Sequence, residues 1–542
     1  MQPISSYLRY CLSALLLFSA LCALPALAQE GVDFATQSVR IAQGSEPPNL
    51  NSIKSTDQTS IFYIEHVMEG LLRKNARNEL VGGVAERWEM EGTTARFWLR
   101  QNAVWSDGVP VTAHDFVFAW RQVVNPEVAA EYASIMYPVK NAEAINQGKL
   151  PLEALGVTAL DDYTLEVELE TPTGYFLSLT SFMIYYPVRQ DFYEAQNGRY
   201  FADVRNMIFN GPFTITSWVH GASLRMEKNP TYWDADSVTL NVIDTPYITN
   251  DEQAVFNLFK DGMLALVNNL AAEQLRGALD NRMRIYAHPD GSVFYVEFNH
   301  RDDRVTRNLN LRKAMQAVYD SEELVYKAIG IAGYIPGRSL IPVYMNGVQD
   351  KFRVEYPEQP ASLDIEKARE YLELAKQELG LDEIPPLSIL CDDTNGAILQ
   401  AQYFQSLFKR TLGIDIKVDA QTFKQRLDKS GNGNFDLILA GWGPDYEDPL
   451  TFGDLFASWN VNNKGRYNSP VYDAYVRTVQ GTSDQQVRMD ALGRMQQHII
   501  DEAVILPNFE RVSNGVRDPR LQGVVFSQTG ASTTFTYAHV TE

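Results

Sequence analysis

Between Leu387 and Trp442 the chain alternates short apolar runs with helix-length stretches, and this order restricts the possible folds more than any other feature. Leu387 to Cys391 is one such run, Ile414 to Val418 a second, and Leu437-Ile438-Leu439-Ala440 a third. Apolar runs this short, bounded by turn signals, read as buried strands. Residues 397–412 carry helical spacing between the first two. Parallel neighbours need a long crossover, and a helix is the usual one, so strand–helix–strand order predicts a parallel α/β lobe. Gly431-Asn432-Gly433-Asn434 is the turn that leads into the third strand.

The end of that strand is also the richest stretch chemically. Gly441 and Gly443 bracket Trp442, Pro444 stops the strand, and Asp445 follows at once, with Tyr446, Glu447, Asp448 and Pro449 behind it. Glycine lets another backbone approach closely, and proline has no N–H to give to a ladder. The stretch therefore offers a bare backbone edge, an indole and a carboxylate held at a turn. These three suit an extended ligand with a cationic end. The plainer alternative is a surface loop after a strand, with Trp442 as core.

Residues 1–28 read as an export signal. Arg9 is the positive segment, Leu12 to Leu24 is apolar, and Ala26-Leu27-Ala28 fits the small-x-small cleavage rule, so Gln29 begins the mature chain and a periplasmic location is expected. Cys22 raises a lipidated alternative, against which Leu21 stands where a small residue is wanted. Cys11 and Cys22 leave with the signal, and Cys391 alone forms no intramolecular disulfide. A formal charge of −21 on 542 residues argues against nucleic acid and anionic membranes as partners.

Other elements are legible from patterning. Val39 to Ala42 reads as a strand, Ile61 to Leu72 as a helix, and residues 88–89 and 95–100 as a hairpin turning at Gly92-Thr93-Thr94. Thr112 with Asp115 three residues on predicts a capped helix start. Thr158 to Leu169 alternates as a second hairpin, with Asp161-Asp162 at its turn. Further helices are expected over 252–262, 310–319, 364–379, 471–479 and 485–501, and further strands over 292–299 and 503–509. There are no repeats, low-complexity tracts or linkers, so two long discontinuous lobes are expected rather than beads on a string.

The motifs then resemble a known family. Gly83-Val84-Ala85-Glu86-Arg87-Trp88, Phe97-Trp98-Leu99-Arg100, the run Trp105 to Trp120, Asn210-Gly211-Pro212-Phe213, Glu227 to Trp233 and Val293 to Asn299 are similar, in order, to motifs of the oligopeptide-binding proteins of bacterial ABC importers, solute-binding family 5. The resemblance implies an α/β, two-lobed periplasmic-binding-protein fold, type II-like, with an extra domain and a hinge. It divides the chain into a signal (1–28), lobe I (29–68, 191–294 and 509–542), an extra domain II (69–190) and lobe III (295–508). Hinge crossings are expected near 186–201, 293–299 and 506–510.

The resemblance also implies a function and a site. Asp445 takes the family's role of holding the ligand α-ammonium, beside Gly441, Trp442 and Gly443, while Tyr132 and Gln58 face them from the first part of the chain. The expected partners are a peptide ligand and the inner-membrane permease subunits of the importer. No nucleic acid, cofactor or metal is expected, and the protein is expected to be a monomer. Some relatives carry Arg two residues before the Gly-Trp pair, to neutralise the peptide carboxylate. Here that residue is Leu439, which leaves Lys429 or Lys424 as candidate cations. Departures also occur at Met263-Leu264-Ala265-Leu266, which lacks the family's acid, and before Asn310, which lacks its proline.

The alternatives are a binding protein for dipeptides, nickel chelates or another non-peptide solute, a sensory or chaperone role on the same lobes, and an exported hydrolase. Against an enzyme, the chain has no Gly-x-Ser-x-Gly elbow and no His-Glu-x-x-His, and its seven histidines are scattered.

Overall fold

A computed structural model of the protein describes residues 30–542. The expected export signal, Cys22 and Gln29 lie outside the described residues. The alternation that predicts an α/β lobe resolves into six strands of one sheet: β1 (Leu266–Asn268), β2 (Ile285–Phe298), β3 (Leu387–Asp392), β4 (Ile416–Gln421), β5 (Leu437–Trp442) and β6 (Ile505–Arg517). Their order is β1-β6-β2-β5-β3-β4, and the short strand Ile335–Pro336 pairs with β6. β3 runs parallel to β4 and to β5, as the crossover rule requires. β5, β2, β6 and β1 are antiparallel in turn.

The helix Asn395–Leu412 makes the first crossover. Its N-cap Thr394 accepts from Ala397 N–H, and Gly413 ends it in the left-handed region. The second crossover contains a helix, Phe423–Gly431, that patterning does not reveal. Its only large apolar residues are Phe423 and Leu427, so no stripe marks it. A capping box between Thr422 and Gln425 starts it instead.

The remaining chain builds a second body. A five-stranded sheet runs Val32–Asp33, Ser38–Gln43, Val242–Ile248, Ser223–Lys228, Phe213–Val219, and a four-stranded sheet contains both predicted hairpins. The predicted cap at Thr112 and Asp115 opens the helix Ala113–Val124. One apolar core joins residues from Val32 to Leu266 with residues from Leu521 to Val540, while two other cores lie between Val293 and Leu506. These cores define a first and a second lobe.

Two expectations need correction. The helix expected to Leu72 stops at Val67, and Leu72–Lys74 is a strand. Asn210 captures the backbone there, accepting from Glu69 N–H at 3.1 Å and donating to Glu69 O at 2.9 Å. A Cβ on Gly70 would stand 2.7 Å from Thr180 O, so the chain is held too closely to continue as a helix. The strand that carries the Val293–Asn299 motif is also longer than expected, beginning at Ile285. The ladder between β2 and β6 is irregular between Pro289 and Val293, whose partners are Val512 and Glu510. Gly291 sits in this break with φ +83°, where a side chain would be strained. The break spans residues 290–292, just before the expected 293–299 crossing. An ion pair of 2.5 Å between Arg511 and Asp290 spans it.

Candidate functional site

β5 is paired along its whole length on one side only. β2 accompanies it from Leu437 to Trp442, whereas β3 accompanies it only at Leu437 and Ile438. From Leu439 onward no strand among the described residues lies beside the other edge, and Leu439, Ala440, Gly441, Trp442 and Gly443 line a cavity of about 1190 Å³ between the lobes. A backbone edge left open inside a cleft is a template for an extended chain. Both glycines are close approaches. A Cβ on Gly441 would lie 2.7 Å from the Phe294 ring, and one on Gly443 would lie 3.1 Å from Gln58 Nε2.

The first lobe supplies the facing wall. Asp57 caps the helix Gln58–Val67, its carboxylate accepting from Ser60 N–H at 2.8 Å and Ser60 Oγ at 2.6 Å. That cap sets Gln58 at the helix start, over Gly443. Tyr132 stands edge-on to Trp442, centroids 6.1 Å apart at 87°. Its hydroxyl donates to Asp445 Oδ1 at 3.1 Å. Residues 313 positions apart thus meet across the lobe boundary.

Of the six residues singled out in the sequence, Gln58, Tyr132, Gly441, Trp442 and Gly443 line the large cavity. Asp445 lies behind them. It is 5% exposed and lines a neighbouring cavity of about 80 Å³, with Glu65, Lys74 and Phe182. Its own N–H donates to Thr451 Oγ1 at 3.1 Å, which holds the loop against the second lobe. Among the described residues no Lys, Arg or His side chain forms an ion pair with Asp445. Burial pushes its carboxyl well above the usual range. The Tyr132 hydroxyl opposes this, and the nearby Asp454 and Glu65 reinforce it. Asp454 is itself pushed up to about 8 by burial. The Lys74 ammonium of the same small cavity donates instead to Ser527 Oγ at 3.1 Å and Thr529 O at 2.8 Å, so the buried acid has no ion-pair partner among the described residues, and a ligand ammonium is the chemistry that would satisfy it.

The opposite end of the cavity departs from expectation. Lys429 is ion-paired to Asp419 at 2.5 Å, and neither it nor Lys424 lines the cavity. Arg426, one helical turn before Lys429, does line it, paired with Asp392 at 2.8 Å. Leu439 is half-buried against the second-lobe core.

Sequence reasoning also missed Lys464, Arg511 and Glu297 on the cavity wall. Lys464 reaches Glu131 of the first lobe at 2.6 Å. Arg511 lies over the Phe294 ring at 5.0 Å. Glu297 accepts from Gly465 N–H, and burial pushes its carboxyl up to about 7. Only Glu297 carried a local signal, as an acid within the apolar strand motif. The others are ordinary surface charges until the fold brings them in.

Residues 79–464 match the family described as bacterial extracellular solute-binding proteins, family 5 Middle. The oligopeptide-binding protein OppA of Bacillus subtilis is 32% identical over 498 residues, 90% of each chain. The structure of Listeria monocytogenes OppA bound to peptide is similar with a TM-score of 0.88 at 28% identity, over 93% of this chain and 99% of that one. The unliganded open form of the murein tripeptide-binding protein MppA gives 0.61 at 25% identity, over 94% and 98%. The two comparisons cover nearly the same share of this chain, so coverage does not account for the lower score.

Proposed function

Because the chain belongs to family 5 of the bacterial extracellular solute-binding proteins, we propose that it captures oligopeptides between its two lobes and delivers them to an ABC importer in the inner membrane. The observation that carries this reading is the open edge of β5 beside a buried carboxylate that forms no ion pair among the described residues. A peptide lies extended along Leu439–Gly443 and pairs backbone to backbone, which is largely blind to sequence. Its ammonium goes to Asp445, the acid that Tyr132 already orients. Side chains occupy the rest of the large cavity, where water fills the space they leave.

The protein works as a monomer in the periplasm, after removal of residues 1–28, and its partners are the peptide and the permease subunits. The role is binding rather than catalysis. The test is native mass spectrometry of the protein as purified, before and after unfolding and refolding. Heterogeneous extra masses of a few residues, lost on refolding, are expected. One discrete non-peptide mass would favour a dedicated solute such as a nickel chelate.

The acid's environment sets a pH dependence. Ammonium binding needs Asp445 ionised, while burial in the closed cleft favours its proton. A proton therefore competes with the peptide. Affinity is full above the raised pKa and falls as pH drops through it, by up to about tenfold per unit. Calorimetry in buffers of different ionisation enthalpy should register proton release on binding, growing toward acid. Affinity that does not fall as the pH is lowered from neutral through the ordinary carboxylate range would contradict an ammonium on Asp445.

A further inference from the structure

The loop after β5 does more than carry Asp445. Tyr446 is 4% exposed and lies in the first-lobe core, although Leu450 and Phe452, just beyond it, belong to a second-lobe core. It is a side chain of one lobe inserted into the other. Its ring stacks on Tyr175 of the first lobe, centroids 5.4 Å apart and planes 13° from parallel. Tyr175 packs against both cores, and the Arg488 guanidinium of the second lobe lies 5.1 Å from its ring. Arg488 in turn grips both oxygens of Asp448, three residues after Asp445, at 2.8 and 2.9 Å.

Three residues of this one loop therefore tie the two lobes together. Asp445 meets Tyr132 of the first lobe, Tyr446 enters that lobe's core, and Asp448 ties the loop to the helix Gln485–Asp501 of the second lobe. When the lobes part, both tyrosine rings lose their partners and meet water, which disfavours parting. The ring sits one residue from the acid, so the loop position that lets Asp445 reach a ligand is the same one that seats Tyr446. Arg488 and Asp448 keep the loop from moving independently of its lobe.

We propose that Tyr446, stacked on Tyr175, couples occupancy of Asp445 to lobe closure, so that a ligand held at Asp445 is retained by the stack rather than by its own contacts alone. This rests on the peptide reading above. The role is one of positioning and retention, and it makes the rate of ligand release a property of residues the ligand never touches.

The experiment compares wild type with Tyr446→Ala, Tyr175→Ala and Tyr446→Phe. It measures small-angle scattering with and without a pool of tri- to pentapeptides, peptide release rates, and the melting temperature without peptide. Wild type and Tyr446→Phe should compact on adding peptide. Each alanine variant should stay extended and release peptide about 10- to 100-fold faster, with association changed far less. Either alanine variant serves if the other fails to fold, because the two rings belong to different lobes. Compaction and release equal to wild type in a folded alanine variant would overturn the coupling. A wild type that neither binds nor compacts would overturn the peptide reading, and this inference with it. That failure shows in the wild-type measurement alone.

Discussion

Asp445→Asn is expected to abolish tight binding of peptides with free N-termini, weakening them by about 30- to several thousand-fold. That range corresponds to the roughly 2–5 kcal/mol lost when one partner of a buried, hydrogen-bonded charge pair is removed. The substitution keeps the shape of the side chain, and an Asn carbonyl can still accept from the Tyr132 hydroxyl that now lies 3.1 Å from Asp445 Oδ1. Packing and the local hydrogen bond are thus held constant while the charge is removed. The matching control is the ligand. Wild type should reject N-acetylated peptides by a similar factor, and the variant should no longer distinguish the two forms. Equal wild-type affinity for free and acetylated peptides would remove the ammonium from this site, while leaving pairing along β5 untouched.

Arg353→Ala is expected to cost about 3–5 kcal/mol of stability, the range for leaving buried charges without their partner. Arg353 pairs with Glu358 and, at 2.6 Å, with Glu510, and the three side chains are 10%, 8% and 6% exposed. Glu510 lies on β6, and its other oxygen accepts from Val343 N–H at 2.9 Å. Removing the guanidinium strands two largely buried carboxylates without their shared cation. Urea unfolding should show the loss at neutral pH, and a smaller loss in mild acid, because burial already pushes the Glu510 carboxyl up and its protonation relieves part of the stranded charge. Adding Glu358→Gln and Glu510→Gln should recover part of it. A loss under 1 kcal/mol would mean that solvent enters when the side chain is shortened.

Local patterning carried most of the secondary structure where one element buries one face. The stripe of residues 364–379, with Gly380 after it, is the helix Ile365–Leu379 capped by Asp364. The hairpins turn where their Gly and Asp residues stand. Patterning failed in two situations. The helix Phe423–Gly431 buries almost nothing and so has no stripe. The helix ending at Val67 is cut short by Asn210, a residue remote in the chain.

What the sequence by itself determined is the set of elements, the parallel order around β3, and the presence of a glycine-flanked indole followed at once by an acid. These follow from periodicity and from what Gly and Pro do to a backbone, all within a few residues. Only the tertiary structure decided which edge of β5 stays open, that Gln58 lies over Gly443, that Asp445 is buried with no ion-pair partner among the described residues, and that Arg426 rather than Lys429 reaches the cavity. The reason is that pairing, burial and the field at a carboxylate depend on atoms hundreds of residues away. No local pattern records where the other lobe comes to rest.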